Sequence, residues 1–259
     1  MIKYTYYFIE NLTFVHLGGK ALLLTNEDVK NVLMQHQVEG LFHANTVLTS
    51  ISFLKNKGLC SRQYIAQLPD SYQTRQYSDD DDQRFGIYND IFFDSVDIHR
   101  RAHQYNQYGP VIFIYGLDLL SSPELNNKVR ITKDNPIRWN SKMNLEDRYF
   151  VNLSELQNGF CKGAFKQHIT LHDVQKISFQ HLKSIQLDPL PKKYNGIFKD
   201  AYYNLQDAVA QAGVLIDVNI RKCDSQCRCQ NQYLRMNESE IIKRYSCEVD
   251  NDGNVCGKK

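Results

Sequence analysis

Leu41-Phe42-His43-Ala44-Asn45-Thr46-Val47-Leu48-Thr49-Ser50-Ile51-Ser52-Phe53-Leu54-Lys55-Asn56-Lys57-Gly58-Leu59-Cys60-Ser61-Arg62 is the stretch whose pattern decides the fold. Its first residues make a short apolar strand that ends in the polar side chains of His43, Asn45 and Thr46. From about Val47 to Lys57 apolar residues recur at helical spacing. Leu48, Ile51 and Phe53/Leu54 form the buried face, while Ser50, Ser52 and Lys55 look outward. Gly58 stops the helix, and Ser61-Arg62 follows. A strand end that presents His and Asn beside a packed helix suits a nucleotide-sized ligand, although the same unit also serves as plain scaffold.

Outward from this unit, strands and helices alternate irregularly. Upstream, Tyr4 to Ile9, Leu12 to Leu17 and Ala21 to Leu24, broken at Gly18-Gly19, predict a small hairpin unit. Thr25 with Asp28 three residues later predicts an N-cap, and Val29, Val32, Leu33 and His36 continue it as a helix. Downstream, the aromatic run from Ile87 to Asp94, the apolar run Val111 to Tyr115 and Val129 to Thr132 read as strands. Leu145 to Leu156 reads as mixed and helical. Ala164 to His172 alternates strictly, which puts His168, Thr170 and His172 on one strand face. Lys199 to Ala212, closed by Gly213, predicts a helix, and Val214 to Ile220 a last strand. The fold class expected is therefore α+β.

The chain has 259 residues, 42% hydrophobic and 23% charged, close to globular averages and long enough for a large core. A net charge of +2 gives no overall basic field, so nucleic-acid binding would need a local patch. No apolar run approaches the roughly 20 residues that span a bilayer, and the start lacks a signal-peptide core. The expectation is a cytoplasmic protein with no membrane partner. Residues 1–220 are expected to form one domain, and the charged, cysteine-rich stretch 221–259 an extension with too little apolar content for its own core.

Seven cysteines include the cluster Cys223, Cys227 and Cys229. Free thiols are the main expectation. Zinc, with Cys247 or Cys256 as fourth ligand, is the lesser alternative, because C-x3-C-x-C is not a usual finger spacing. The run Asp79 to Asp82 would repel itself in a regular element and reads as a solvated loop. His99, Arg100, Arg101 and His103 bring forked donors and imidazoles within five residues, a composition fit for phosphate or for an ordinary basic turn.

The order of these segments resembles the ADP-ribosyltransferase fold, in particular the DarT-type toxins that modify nucleic acid with NAD. Their strand ending in His, a helix and Gly-Leu-Ser is matched by Phe42-His43-Ala44-Asn45 and Gly58-Leu59-Cys60-Ser61. Their aromatic strand followed by arginine resembles Asp90-Ile91-Phe92-Phe93 with Arg100 or Arg101 behind it. The apolar strand within Gly109 to Leu120, the turn Thr132-Lys133-Asp134-Asn135 and the strand Lys166-Gln167-His168 follow in the same order, so the match runs from about Leu41 to Ile185.

The resemblance implies a split, mainly antiparallel β-sheet core with flanking helices and NAD, as substrate, in the cleft. It implies His43, Asn45, Ser61, Arg62, Asp90, Phe92 and Arg101 as NAD-binding residues, and His168, Gln167 and Arg100 as catalytic ones. It further implies a nucleic-acid acceptor and an antitoxin-like inhibitor protein as partners. The family's glutamate is not found, and Gln167 or His168 fills its place; a neutral group stabilises developing positive charge far less than a carboxylate. Two alternatives follow. One is an RNA-processing phosphoesterase using His168 and Thr170, and the other is an NAD-fold or partner-binding protein without turnover.

Overall fold

The computed structural model describes residues 24–249 and 255–256. The N-terminal hairpin unit expected over residues 4–24 falls, but for Leu24, outside them. The strands are β1 (Leu41–Asn45), β2 (Leu59–Cys60), β3 (Ile91–Phe93), β4 (Val111–Tyr115), β5 (Val129–Ile131), β6 (Ile169–Leu171), β7 (Lys176–Ile177), β8 (Leu182–Leu187), β9 (Val218–Ile220) and a short antiparallel pair, β10 (Glu248–Val249) with β11 (Val255–Cys256). One sheet has the order β1-β4-β8-β9 and another the order β3-β6-β5, while β2 and β7 form a short ladder. All of these pairs are antiparallel except β8 with β9. The protein is thus mixed α and β with mainly antiparallel sheets. The two larger sheets meet at one isolated bridge, where Phe42 and Asp94 exchange backbone hydrogen bonds of 3.0 and 2.9 Å.

The near-continuous apolar run Val111 to Tyr115 lies inside its sheet, between β1 and β8, as a strand buried on both faces should. Three of the expected strands are shorter than their patterns. β9 covers only Val218–Ile220 of the expected Val214 to Ile220, because Val214 N–H still donates to the Val209 carbonyl of the preceding helix. β3 covers only Ile91–Phe93, because Ile87 to Asp90 forms a turn closed by Asp90 N–H donating to the Ile87 carbonyl. β6 covers only Ile169–Leu171, because Gln167 N–H donates back to Ala164 and bends the chain there. Leu145 to Leu156 breaks into the helices Leu145–Arg148 and Leu153–Gly159, separated where Tyr149 bridges Thr132.

The helix α1 (Asn26–Gln35) begins where its cap predicts, and α2 (Val47–Lys55) begins where its apolar period does. Thr25 and Asp28 form a reciprocal capping box, and Thr46 caps α2. Eight of the nine α2 residues are buried, so Ser50 and Ser52 do not face solvent as their period suggests. The reason is a polar crossover. Ser52 Oγ accepts from Tyr72 N–H at 2.8 Å, Thr49 Oγ1 accepts from Thr74 N–H at 3.0 Å, and the Thr46 and Thr74 hydroxyls lie 2.6 Å apart. These bonds clamp residues 72–74 onto α2. The Asn195–Ala212 helix, closed by Gly213 at φ 70°, packs on the other side of α2. Beyond it the extension forms the helices Cys229–Arg235 and Glu238–Tyr245. Their Cys229, Tyr233, Ile241 and Tyr245 join the same core as Leu205 and Val209. Among the described residues no helix is long and apolar enough to cross a membrane.

Gly109 has φ +151°, and a Cβ there would lie 2.1 Å from the Asn45 carbonyl group. Gly109→Ala therefore sets strain and a backbone clash against the end of β1, and urea unfolding is expected to show a loss of about 2 kcal/mol or more. Gly196→Ala meets nothing within 4 Å. It should be neutral or stabilise by up to about 1 kcal/mol.

Candidate active site

The bridge between the two sheets leaves a cleft of about 860 Å³, open to solvent, on whose walls His43, Asn45, Arg62, Asp94 and His168 meet. β1 supplies His43 and Asn45, and the segment around β3 supplies Asp90, Phe92 and Asp94. The residue before β6 supplies His168, and Asn106, Tyr108 and Asn135 come from loops. Cross-strand register explains the grouping: Phe92 pairs with Thr170, so Asp94 falls opposite His168 and Asp90 opposite His172.

His43 has a fixed tautomer. Its Nδ1–H donates to the Phe92 carbonyl at 2.8 Å, which leaves Nε2 to accept from the Asn45 amide at 3.3 Å. Burial pushes its pKa down to about 4, against a smaller upward effect of the Phe92 bond. His43 is therefore a neutral imidazole near pH 7.

Across the cleft, His168 Nδ1 lies 3.5 Å from Asp94 Oδ1, and its Nε2 lies 3.3 Å from the Asn135 amide. Burial works to raise the Asp94 pKa. The His168 imidazole and the Arg101 guanidinium, which bonds both carboxylate oxygens at 3.1 and 3.4 Å, outweigh it and hold Asp94 below the usual carboxylate value. An ionised carboxylate thus stands beside a histidine on the cleft wall.

The acidic run is not a solvated loop. It forms helix α4 (Asp79–Arg84), with Asp79 and Asp82 buried. The burial has a partner: Asp79 Oδ1 pairs with Arg62 Nη2 at 2.5 Å, while Arg62 Nη1 donates to Gln76. Arg62 belongs to α3 (Arg62–Ile65), which places it at the cleft. Asp82 lines the cleft as well, and burial pushes its pKa up to about 6.

Of the residues expected at the site, His43, Asn45, Arg62, Asp90, Phe92 and His168 line this cleft. Asp90 accepts from Asp173 N–H at 2.9 Å and faces His172 at 3.0 Å, so it also ties the β3 edge to β6. The others are placed differently. Ser61 caps α3, accepting from Tyr64 N–H, and its hydroxyl donates to Asn89. Gln167 is a buried clamp whose amide bonds Cys161 N–H and the Gly159 carbonyl. Arg101 sits behind Asp94 and over the Phe165 ring. Arg100 points away, exposed and paired with Glu39 at 2.8 Å.

Asp94 is the cleft residue that spacing alone did not single out, although Asp90, Phe92 and Asp94 share a face at strand period. Asp82 was masked by the charge run around it. Thr170 is fully buried opposite Phe92 and does not reach the cleft, which takes away the hydroxyl partner of a His168-based phosphoesterase.

No family model and no curated protein matches the chain. Solved structures of Thermus sp. 2.9 DarT do resemble it. The complex with ADP-ribosylated ssDNA aligns over 72% of this chain and 95% of that one, at 11% identity and a TM-score of 0.47. The complex with NAD+ aligns over 72% and 96%, at 10% identity and a TM-score of 0.44.

The depressed His43 pKa has a measurable consequence. Between its ordinary value of 6.5 and its folded value near 4, the unfolded chain binds a proton that the folded chain does not, so His43 costs stability as the pH falls through that window. The stability advantage of the wild type over His43→Gln should shrink from pH 6.5 to 4 and stay constant above it. An advantage that does not change with pH would contradict the assigned neutral state.

Proposed function

We propose that this protein is an NAD-dependent ADP-ribosyltransferase that modifies nucleic acid, in the manner of a DarT-type toxin. The observation that carries the proposal is the meeting of His43 and His168, with Asp94 between strands, on the walls of one cleft. Motif order along Leu41 to Ile185 supports the same assignment, as does a split pair of mainly antiparallel sheets with the cleft at their junction.

In this mechanism NAD lies with its nicotinamide ribose toward His43 and its pyrophosphate toward Arg62. His43, neutral and held by Phe92 and Asn45, orients the ribose through hydrogen bonds rather than charge. The C1′–N bond breaks with its electron pair leaving on nicotinamide, and positive charge develops on the ribose. Asp94 supplies the carboxylate that the family's glutamate would otherwise provide, because its negative charge is fixed before the reaction. A nucleophilic atom of a nucleobase then attacks C1′, and His168, oriented by Asp94 and Asn135, receives the proton that the acceptor releases. Phe92 and Tyr108 offer rings for stacking a base. An inhibitor protein that covers the cleft belongs to the same proposal.

The test offers labelled NAD to total nucleic acid and total protein, with nicotinamide release measured in parallel. His43→Ala, His168→Ala and Asp94→Asn should each lower turnover by about 100-fold or more, with unfolding midpoints checked beside the wild type. Labelled nucleic acid is the expected product, and labelled protein would move the acceptor class. Full activity in both histidine variants would sink the assignment, and thermal stabilisation by NAD without turnover would favour a binding protein.

A further inference from the structure

Away from the cleft, the cysteine-rich extension meets α5 (Ile98–Ala102). Cys223, Cys227 and Cys229 bring their sulfurs to one side of His99, and the four donor atoms lie within 4.8 Å of one another. His99 Nδ1 is 3.5 Å from Cys223 Sγ and 3.4 Å from Cys227 Sγ, and Cys223 Sγ is 3.6 Å from Cys229 Sγ. A tetrahedral zinc ion with bonds of about 2.3 Å to sulfur and 2.0–2.1 Å to nitrogen has donor–donor edges of about 3.5–3.8 Å. We infer that His99, Cys223, Cys227 and Cys229 bind a structural zinc ion that fastens the C-terminal extension to the body of the protein.

Local structure explains why an unusual spacing converges. Asp224 Oδ1 accepts from both Gln226 and Cys227 N–H at 2.9 Å, which curls the chain so that Cys223 and Cys227 face each other. Cys229 opens the next helix, and Arg228 N–H donates to the His103 carbonyl at 2.8 Å, pinning this turn to the end of α5. The fourth corner is a histidine from far upstream, so neither Cys247 nor Cys256 is needed. Cys247 Sγ instead lies near the carbonyls of Asp200 and Tyr245.

The surroundings of the histidine have the form of a metal ligand's support. His99 is 4% exposed, and its Nε2 faces Asp188 Oδ2 at 3.0 Å while Nδ1 faces the sulfurs. A carboxylate behind the imidazole fixes its tautomer and raises its basicity as a ligand. Asp188 is itself held, accepting from Tyr233 Oη at 2.8 Å and Arg221 Nε at 2.6 Å, and Arg221 also pairs with Asp97 at the N-cap of α5. Zinc would take three thiolates and one neutral imidazole, with release of the thiol protons, and all four positions would be closed to substrate. This is a structural centre rather than a second active site.

The centre is independent of the transferase assignment, because it is read out by metal content and spectroscopy. Full-length protein purified without added metal should carry about one zinc per chain, falling to about a tenth or less in Cys227→Ser and His99→Ala. Cys161→Ser and Cys247→Ser should keep it. Because the ligand variants could misfold, wild-type protein reconstituted with cobalt provides a second reading: tetrahedral ligand-field bands with thiolate charge-transfer absorption are expected. Zinc below stoichiometry with a disulfide among the three cysteines by mass spectrometry, stoichiometric iron, or zinc retained in Cys227→Ser would each overturn the inference.

Discussion

Two backbone hydrogen bonds between Phe42 and Asp94 determine where everything else in the site can lie. They are the point at which the β1 and β3 sheets touch. The ladder does not continue past them, because β1 runs on against β4 and β3 against β6. On the far side of the bridge a side chain takes over, with His43 Nδ1–H donating to the Phe92 carbonyl. A closed sheet would have placed strand backbone where the cleft now stands. Instead, the splitting of the two ladders turns neighbouring strand ends into opposite walls, and side chains remote in sequence come within reach of a common ligand.

The polar groups around this junction are poorly explained as stability devices. Removing charge from water costs more than a buried pair commonly returns, and apolar residues of similar volume often serve the fold as well or better. Asp94 nevertheless sits between His168 and Arg101, in a cleft that Phe42, Phe92 and Phe93 also line. Arg62 and Asp79 form a second buried pair beneath the 72–78 segment. At Asp94 the countercharge holds the carboxylate ionised while it faces the cleft. That arrangement fits a requirement for fixed charge at a reacting group, supplied before substrate arrives.

Sequence patterning made the scaffold legible wherever a period or a cap was strong. The Thr25 cap, the buried strand Val111 to Tyr115 and the Gly213 stop all fall where local rules put them. The shared strand face of His168, Thr170 and His172 was also readable, and cross-strand register turns it into the pairs His168 with Asp94 and His172 with Asp90. What could not be read depends on distant partners. Charge repulsion argues for a loop at Asp79 to Asp82 until Arg62 is seen to neutralise Asp79, and Ser52 looks solvent-facing until Tyr72 N–H is found upon it. Arg100 and Arg101 are neighbours in sequence, yet helical rotation of about 100° per residue sends one to Glu39 and the other to Asp94.

The same rotation makes α5 a mechanical link between the cleft and the extension. His99 turns inward to Asp188 and the three sulfurs, while two residues later Arg101 reaches the back of Asp94. Asp97, which caps the helix, is bound by Arg221 from the chain that leads into the cysteines. A helix of five residues has too few internal hydrogen bonds to hold its own orientation. Its position is therefore set by contacts on both sides, Asp97 with Arg221 and His99 with Asp188 on one, Arg100 with Glu39 and Arg101 with Asp94 on the other. The segment carrying Arg221 and the three cysteines thus packs against the same short helix whose Arg101 stands behind Asp94 at the junction of the sheets.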